Sequence, residues 1–279
     1  EFERQLQHNI LEVVPGGRGV TGRLRSDAGH LYADVEDAAR AIPLLRRVFG
    51  ITSVSRVEEV PADRAAIESR LLAIADRRLG PGDRFAIRAR RTGSHSFTSQ
   101  ELARDLGSAV LARFADRGIS VDLESPTVEL FVEVRSNRAY LSEDRMTGPG
   151  GLPLGVAGRV VALVDGLRGA LGAYLLMKRG CRARWVTRSE GADLVASVLA
   201  RFDPTGRSFP GEEDEEARAR QIAEIADAAH ADGIVLPLAV EGFPGARLIY
   251  GERVIFSPTI GWTDREVEER WARVRELAG

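Results

Sequence analysis

Residues 161–181 read VALVDGLRGALGAYLLMKRGC, and their reading decides the fold. An apolar run ending at Val164 meets a turn, Asp165-Gly166, and a second set of apolar residues follows at helical spacing as far as Met177. Strand, glycine-bearing turn and helix in immediate succession are the repeating unit of a parallel α/β sheet. The start of such a helix is also a natural place for an anion. Downstream the alternation continues: CRARWVTR (181–188) as strand, GADLVASVLARF (191–202) as helix, EEARARQIAEIADAAHA (215–231) as a long helix, and DGIVLPLAV (232–240) as strand. The closing stretch VIFSPTIGWTDREVEERWARVRELAG ends in a helix announced by Thr263 three residues before Glu266.

Upstream the pattern differs. FERQLQHNILEVV (2–14) puts Phe2, Leu6, Ile10, Val13 and Val14 on one helical face. GRLRSDAGHLYADV (22–35) alternates around an Asp27–Gly29 turn and reads as a hairpin. DAARAIPLLRRVFG is a helix ending on Gly50, and ITSVSRVEEV (51–60) is a strand, so residues 1–60 form a small plait. A new helix starts at Asp63, DRAAIESRLLAIADRRLG, and Gly80 stops it. The strand DRFAIRARR, the helix beginning TSQELARDLGSAV with Thr98 and Glu101 as a capping box, and the strand pair TVELFVEVRSNRAYLSEDRM turned at Ser136–Asn137 complete a second region. TGPGGLPLG (147–155) reads as the linker to everything that follows.

Net charge is −2, with 44% hydrophobic and 29% charged residues, ordinary values for a soluble globular protein. No apolar run reaches membrane-spanning length and no signal segment opens the chain, so a cytoplasmic protein with no membrane partner is expected. Cys181 is the single cysteine, which leaves no internal disulfide and no multi-cysteine zinc site. Its neighbours place it in a buried strand as a small hydrophobe. His8, His30 and His230 are scattered without the spacing of a metal site or a triad, and no metal is expected. The charge is unevenly distributed: Arg77, Arg78, Arg84, Arg88, Arg90, Arg91 and Arg104 cluster in one stretch, against the acidic run Glu212–Glu216 elsewhere. The alternating arginines of the strand form either a solvated face or, with Arg104, a phosphate-binding strip. His95 is equally a nucleic-acid contact or a turn residue.

At this point the chain resembles a known family. AIRARRTGSH followed by FTSQELARDLGSAV resembles the THUMP domain, an RNA-binding module of tRNA-modifying enzymes. GPGGLPLGVAGRVVALVDG with AYLLMKRGC resembles the junction of THUMP and PP-loop domains in the tRNA 4-thiouridine synthetase family. LQHNI and VFGITSVSRV resemble that family's ferredoxin-like N-terminal domain, and IFSPTIGWTDREVEE its closing segment. The resemblance implies three domains: a ferredoxin-like one at 1–60, THUMP at 61–147, and a Rossmann-like parallel α/β sheet of PP-loop type at 156–279. It further implies tRNA as partner, bound by Arg84, Arg88, Arg90, Arg91, His95 and Arg104.

The family loop Ser-Gly-Gly-x-Asp-Ser falls on Val164, Asp165, Gly166, Leu167, Arg168 and Gly169, and only Gly166 matches. Val164 donates nothing to a phosphate, Asp165 adds negative charge, and Arg168 opposes a magnesium ion while remaining able to attract an anion. The expectation is a vestigial nucleotide pocket with no catalytic residue and no cofactor. Its bearer would be a tRNA-binding protein that presents tRNA to a catalytic protein partner. The alternative is an ATP-dependent tRNA thiouridylase using an altered pocket.

Overall fold

The computed structural model describes residues 1–13, 24–27, 29–188, 190–250 and 253–279. Val14 and Ala28, assigned above to the first helical face and the hairpin turn, lie outside the described residues. Two compact units form, one of residues 1–53 with 147–279 and the other of residues 54–146.

The chain opens with α1 (Phe2–Val13), the two-stranded ribbon β1 (Arg25–Asp27) and β2 (His30–Tyr32), and α2 (Ala38–Leu45). Asp27 faces His30 across the antiparallel ribbon. Ile10 and Val13 are buried with Val48, and Leu6, Leu31 and Leu44 pack around them. Asp37 caps α2 by accepting from the Arg40 N–H at 3.2 Å. Pro43 sits inside this helix, which ends at Leu45 rather than running on to Gly50. Beyond Leu45 the chain closes into tighter turns, with the Arg47 N–H donating to Leu44 O at 3.0 Å and the Val48 N–H to Leu45 O at 3.1 Å.

The stretch ITSVSRVEEV is two strands rather than one. β3 (Ser53–Val54) carries the chain into the central unit, and β4 (Glu58–Pro61) belongs to that unit's sheet, with Val60 opposite Ala139. There follow α3 (Arg64–Arg78), β5 (Arg84–Thr92), α4 (Ser99–Arg113), β6 (Ser120–Val121), β7 (Val128–Arg135) and β8 (Arg138–Ser142). The strand order is β4-β8-β7-β5-β6. β5 and β7 run parallel, whereas β7 and β8 form a hairpin whose Ser136 adopts the left-handed region at φ 48°. α3 and α4 cover one face, where Ile67, Leu71, Leu102, Leu106 and Val110 bury against Phe85, Leu130, Val132 and Leu141. β9 (Met146–Thr147) brings the chain back.

The rest of the larger unit is β10 (Arg159–Val164), α5 (Leu167–Lys178), β11 (Arg182–Thr187), α6 (Glu190–Ala200), β12 (Arg207–Pro210), α7 (Glu215–Ala229), β13 (Gly233–Val235), α8 (Phe243–Tyr250), β14 (Ile255–Phe256) and α9 (Asp264–Ala278). All neighbours pair in parallel in the order β12-β11-β10-β13-β14. The run VVALV is continuous because both faces of β10 are covered. Val160, Ala162 and Val164 enter a core with residues of α5, α6 and α9, while Val161 and Leu163 meet Ile222 and Ala226 of α7 and Ala246 of α8. The order reverses beside β10, and in such sheets the crevice at the strand carboxyl ends is where ligands bind.

Residues 1–53 are fastened to this sheet. Phe49 packs its ring against Tyr174 and Phe202, with centroids 5.3 and 5.5 Å away. Burial of that ring contributes about 2–3 kcal/mol. The Tyr174 hydroxyl, desolvated in this cluster, has its pKa pushed up to about 12. Asn9 Nδ2 donates to the Leu154 carbonyl at 3.1 Å, and Arg182 bridges Glu12 at 2.7 Å and Asp203 at 3.1 Å.

TGPGGLPLG, expected to be a linker, is instead a fixed strap. Gly148 N–H donates to the Thr52 carbonyl at 3.0 Å, Gly150 N–H to Ile51 at 2.9 Å and Leu152 N–H to Lys178 at 3.0 Å. Its glycines serve close approach as much as turning. A Cβ on Gly151, which has φ 78°, would lie 2.2 Å from the Lys178 carbonyl oxygen.

Candidate nucleic-acid interface

Period-two alternation along β5 buries Phe85, Ile87 and Ala89 on the helix-covered face and places Arg84, Arg88 and Arg90 on the other. The first two arginines have protein partners. Arg84 Nη1 donates to Asp122 Oδ2 at 2.6 Å. Arg88 donates through Nε to Glu129 Oε1 at 2.7 Å and through Nη2 to the Leu123 carbonyl at 2.9 Å. Backbone N–H groups of Ser125 and Glu124, and then Arg84, hold the Asp122 carboxyl below its ordinary pKa. Arg84 and Arg88 therefore cross-link strands and loop while keeping spare N–H donors.

Arg90 and Arg91 lie beyond them at the carboxyl end of β5, both exposed. Arg90 makes no hydrogen bond or ion pair among the described residues, and Arg91 Nη1 donates to the Gly93 carbonyl at 2.7 Å. His95 Nε2 lies 3.2 Å from the Thr92 carbonyl oxygen, which selects the tautomer with the proton on Nε2. The His95 ring stacks on buried Phe97 at 5.6 Å. Arg64, which the sequence reading missed, lies over the same Phe97 ring at 5.1 Å and is bound to Asp105. An Arg at the first turn of one helix and a Phe just before another carry no shared periodicity, so only the fold pairs them.

α4 begins at this end. Thr98 Oγ1 accepts from the Glu101 N–H at 3.1 Å, and Glu101 Oε2 accepts from the Thr98 N–H at 2.7 Å. The Thr98 N–H and then the Thr98 hydroxyl, with lesser help from Arg104 and Arg64, lower the Glu101 pKa. Exposed Arg104 follows one turn on. The β5–α4 junction thus gathers Arg90, Arg91, His95 and Arg104, a cationic edge suited to phosphate oxygens.

The second predicted location is the β10–α5 turn. Val164 is fully buried, Asp165 is exposed, and Gly166 caps α5 with no side-chain hydrogen bond. The first N–H groups of α5 are left without a capping side chain, the usual basis of anion attraction at a helix start. Gly169 is required by packing: a Cβ there would lie 2.3 Å from the Leu163 carbonyl oxygen. Arg168 turns to the carboxyl-terminal segment, donating to Thr259 O at 2.9 Å, Trp262 O at 2.8 Å and Asp264 Oδ1 at 2.8 Å. Its guanidinium ties the first turn of α5 to the start of α9. Cys181 is buried and its Sγ donates to the Ala157 carbonyl at 3.2 Å; burial, and then Asp232, push the thiol pKa up. No group of His, Cys, Asp and Glu among the described residues is arranged to hold a metal ion. No helix among them is long and apolar enough to cross a membrane.

A mixed α/β unit with a basic strand–helix junction, followed in the chain by a parallel sheet of order 3-2-1-4-5, defines the class: a small α/β module on a Rossmann-like domain. The THUMP domain model matches residues 61–144. A probable tRNA sulfurtransferase of Methanobrevibacter smithii is 37% identical over 186 residues, 64% of this chain and 46% of that one. The tRNA sulfurtransferase of Pyrobaculum aerophilum is 40% identical over 191 residues, 64% and 36% of the two chains. A probable tRNA sulfurtransferase of Methanothermobacter thermautotrophicus is 33% identical over 232 residues, 81% and 53%. The chain thus spans about half or less of the length of the curated relatives it matches.

Among solved structures, a Pyrococcus horikoshii protein, PH1313, superposes with a TM-score of 0.81 at 22% identity, over 98% of this chain and 93% of that one. A 4-thiouridine synthetase, solved in complex with RNA and ATP, superposes at 0.79 with 21% identity, over 99% and 81%. At that identity these structures establish the fold. The THUMP match and the sulfurtransferase relatives support the resemblance to the tRNA 4-thiouridine synthetase family.

Proposed function

We propose that this protein binds tRNA through its THUMP unit and acts in tRNA modification as an enzyme of the sulfurtransferase kind. The observation that carries the reading is the β5–α4 junction, where Arg90, Arg91 and Arg104 are exposed on a unit whose sequence matches THUMP. Relatives named tRNA sulfurtransferase favour an active enzyme over a passive carrier. Phosphate contacts by these arginines would position the tRNA without reading its sequence. Titration of tRNA at two salt concentrations tests the reading: binding that weakens steeply with salt is expected. Affinity untouched by salt, or unchanged in Arg90→Ala/Arg91→Ala, overturns it.

A second reading rests on the β10–α5 turn. Residues 164–169 offer no hydroxyl to a nucleotide, Asp165 is negative, and Arg168 is engaged by two carbonyls and Asp264. What would hold an ATP triphosphate is reduced to the open N–H groups of α5, a poor fit for it. On this reading the protein grips tRNA and passes it to a catalytic partner without using ATP. Calorimetry with ATP separates the two. Measurable ATP binding lost in Gly166→Trp supports the enzyme, and its absence with tRNA binding intact supports the carrier.

A further inference from the structure

His95 differs in chemistry from the arginines around it at the β5–α4 junction. It stands on the turn that follows β5, where Gly93 adopts φ 95°. Its Nε2 lies 3.2 Å from the Thr92 carbonyl oxygen, so the ring proton sits on Nε2 and is donated to that carbonyl. The same atom is 3.7 Å from the place that a Cβ on Gly93 would occupy. The ring also stacks on Phe97, which is buried and has Arg64 over it. Arg91 is tied to the same turn, its Nη1 donating to the Gly93 carbonyl at 2.7 Å.

An imidazole with its proton on Nε2 keeps a lone pair on Nδ1. That atom has no hydrogen-bond partner among the described residues, and His95 is only half-buried. The junction thus sets an open acceptor beside its donors. Arg90, Arg91 and Arg104 can only give hydrogen bonds, whereas Nδ1 can only take one. A phosphodiester carries no proton, so it satisfies the arginines and leaves Nδ1 unmatched. In a nucleotide chain the donor beside each phosphate is the ribose 2′-hydroxyl, the group that separates RNA from DNA.

We propose that His95 Nδ1 accepts a hydrogen bond from the 2′-hydroxyl of a nucleotide whose phosphates lie on Arg90 and Arg91, which makes His95 the sugar-reading residue of this edge. The inference rests on the reading that the junction binds tRNA. The arginines add affinity without regard to the sugar, and the histidine adds the choice of RNA. Phe97 and the Thr92 carbonyl fix the ring plane and the tautomer, so the acceptor is in place before RNA arrives.

The test uses the full chain and two forms of one tRNA, unmodified and with fluorine replacing every 2′-hydroxyl. Fluorine keeps the sugar pucker and removes the donor. His95→Phe keeps a ring to stack on Phe97 and removes the acceptor; a melting curve checks its fold, and His95→Ala serves if it unfolds. By filter binding, unmodified tRNA should bind the variant about fivefold more weakly than wild type, the loss of one neutral hydrogen bond. Fluorinated tRNA should bind both proteins alike, and the salt slope should be equal in the two because no phosphate contact is lost. An equal loss from fluorination in the two proteins overturns the proposal, since histidine and hydroxyl are then uncoupled. A salt slope lower by about one in His95→Phe overturns it too, because the residue would then be a cation on a phosphate. Salt-dependent wild-type binding that His95→Phe leaves intact removes this proposal alone. Wild-type binding that ignores salt removes the tRNA reading and this inference with it.

Discussion

Two strand-to-helix junctions in this molecule share a plan and differ in who supplies the charge. At β5–α4 a loop precedes the helix, and the Thr98–Glu101 box engages the N–H groups of Thr98 and Glu101. Side chains add most of the pull on an anion there, since Arg90, Arg91 and Arg104 stand exposed. At β10–α5 the turn is two residues long and Gly166 offers no cap, so the first N–H groups of α5 have no capping side chain. Arg168, on the first turn of α5, is held by Thr259, Trp262 and Asp264. A basic residue beside a helix start is therefore no measure of anion affinity until its hydrogen bonds are known. By the same rule Arg84 and Arg88, next to Arg90 in sequence, act mainly as cross-links.

The sharpest contrast lies in one glycine from each helix. Gly169 of α5 has the Leu163 carbonyl 2.3 Å from where a Cβ would sit, whereas Gly107 of α4 has nothing within 4 Å. Gly169→Val should destabilise by about 3 kcal/mol or more in chemical denaturation. Gly107→Ala should stabilise by roughly 0.5–1 kcal/mol, since it restricts the unfolded chain. Equal effects at the two sites would refute the packing difference between the junctions.

Arg168→Ala should cost about 2 kcal/mol, because it leaves two carbonyls without their charged donor. Phosphate affinity should stay unchanged, as the side chain is committed elsewhere. A clear drop in phosphate binding by calorimetry would mean that Arg168 reaches the loop after all. Smaller in energy, Arg90→Ala/Arg91→Ala should weaken tRNA binding about tenfold and lower the salt slope by about two. Arg84→Ala should change it far less, and a reversal of that order would break the division between exposed and cross-linking arginines.

The capping boxes, one in each unit, provide the finest comparison. Thr98→Ala and Thr263→Ala should each cost about 1 kcal/mol. Glu101 and Glu266 both have pKa values lowered chiefly by their bonds to these threonines. A lowered carboxyl pKa stabilises the fold above the unfolded value, and that contribution disappears as pH falls through the folded value. Wild-type melting temperature should accordingly decline as pH drops through and below the ordinary carboxylate range. Each threonine variant should decline less steeply.

The loop sequence made much of this readable in advance. VVALV before Asp165-Gly166, and apolar residues at helical spacing after it, specify strand, turn and helix because hydrophobic period is local information. The same holds for the capping boxes, the Ser136–Asn137 turn and the alternation along β5. Fewer cues warned that ITSVSRVEEV would divide between two units, or that TGPGGLPLG would be strapped down by Ile51, Thr52 and Lys178. Glycine-rich composition predicts backbone freedom, and here that freedom is used for close contact instead.

For the candidate sites the limit is sharper. The chain alone determines which residues are arginines, where they cluster, and that residues 164–169 lack hydroxyls. Tertiary structure alone decides that Arg168 faces Thr259 and Trp262 and that Arg64 meets Phe97. The physical reason is reach. Periodicity governs which face a side chain takes within its own element, whereas the partner that neutralises or frees a charge arrives from elsewhere in the sequence, 91 to 96 residues away for Arg168.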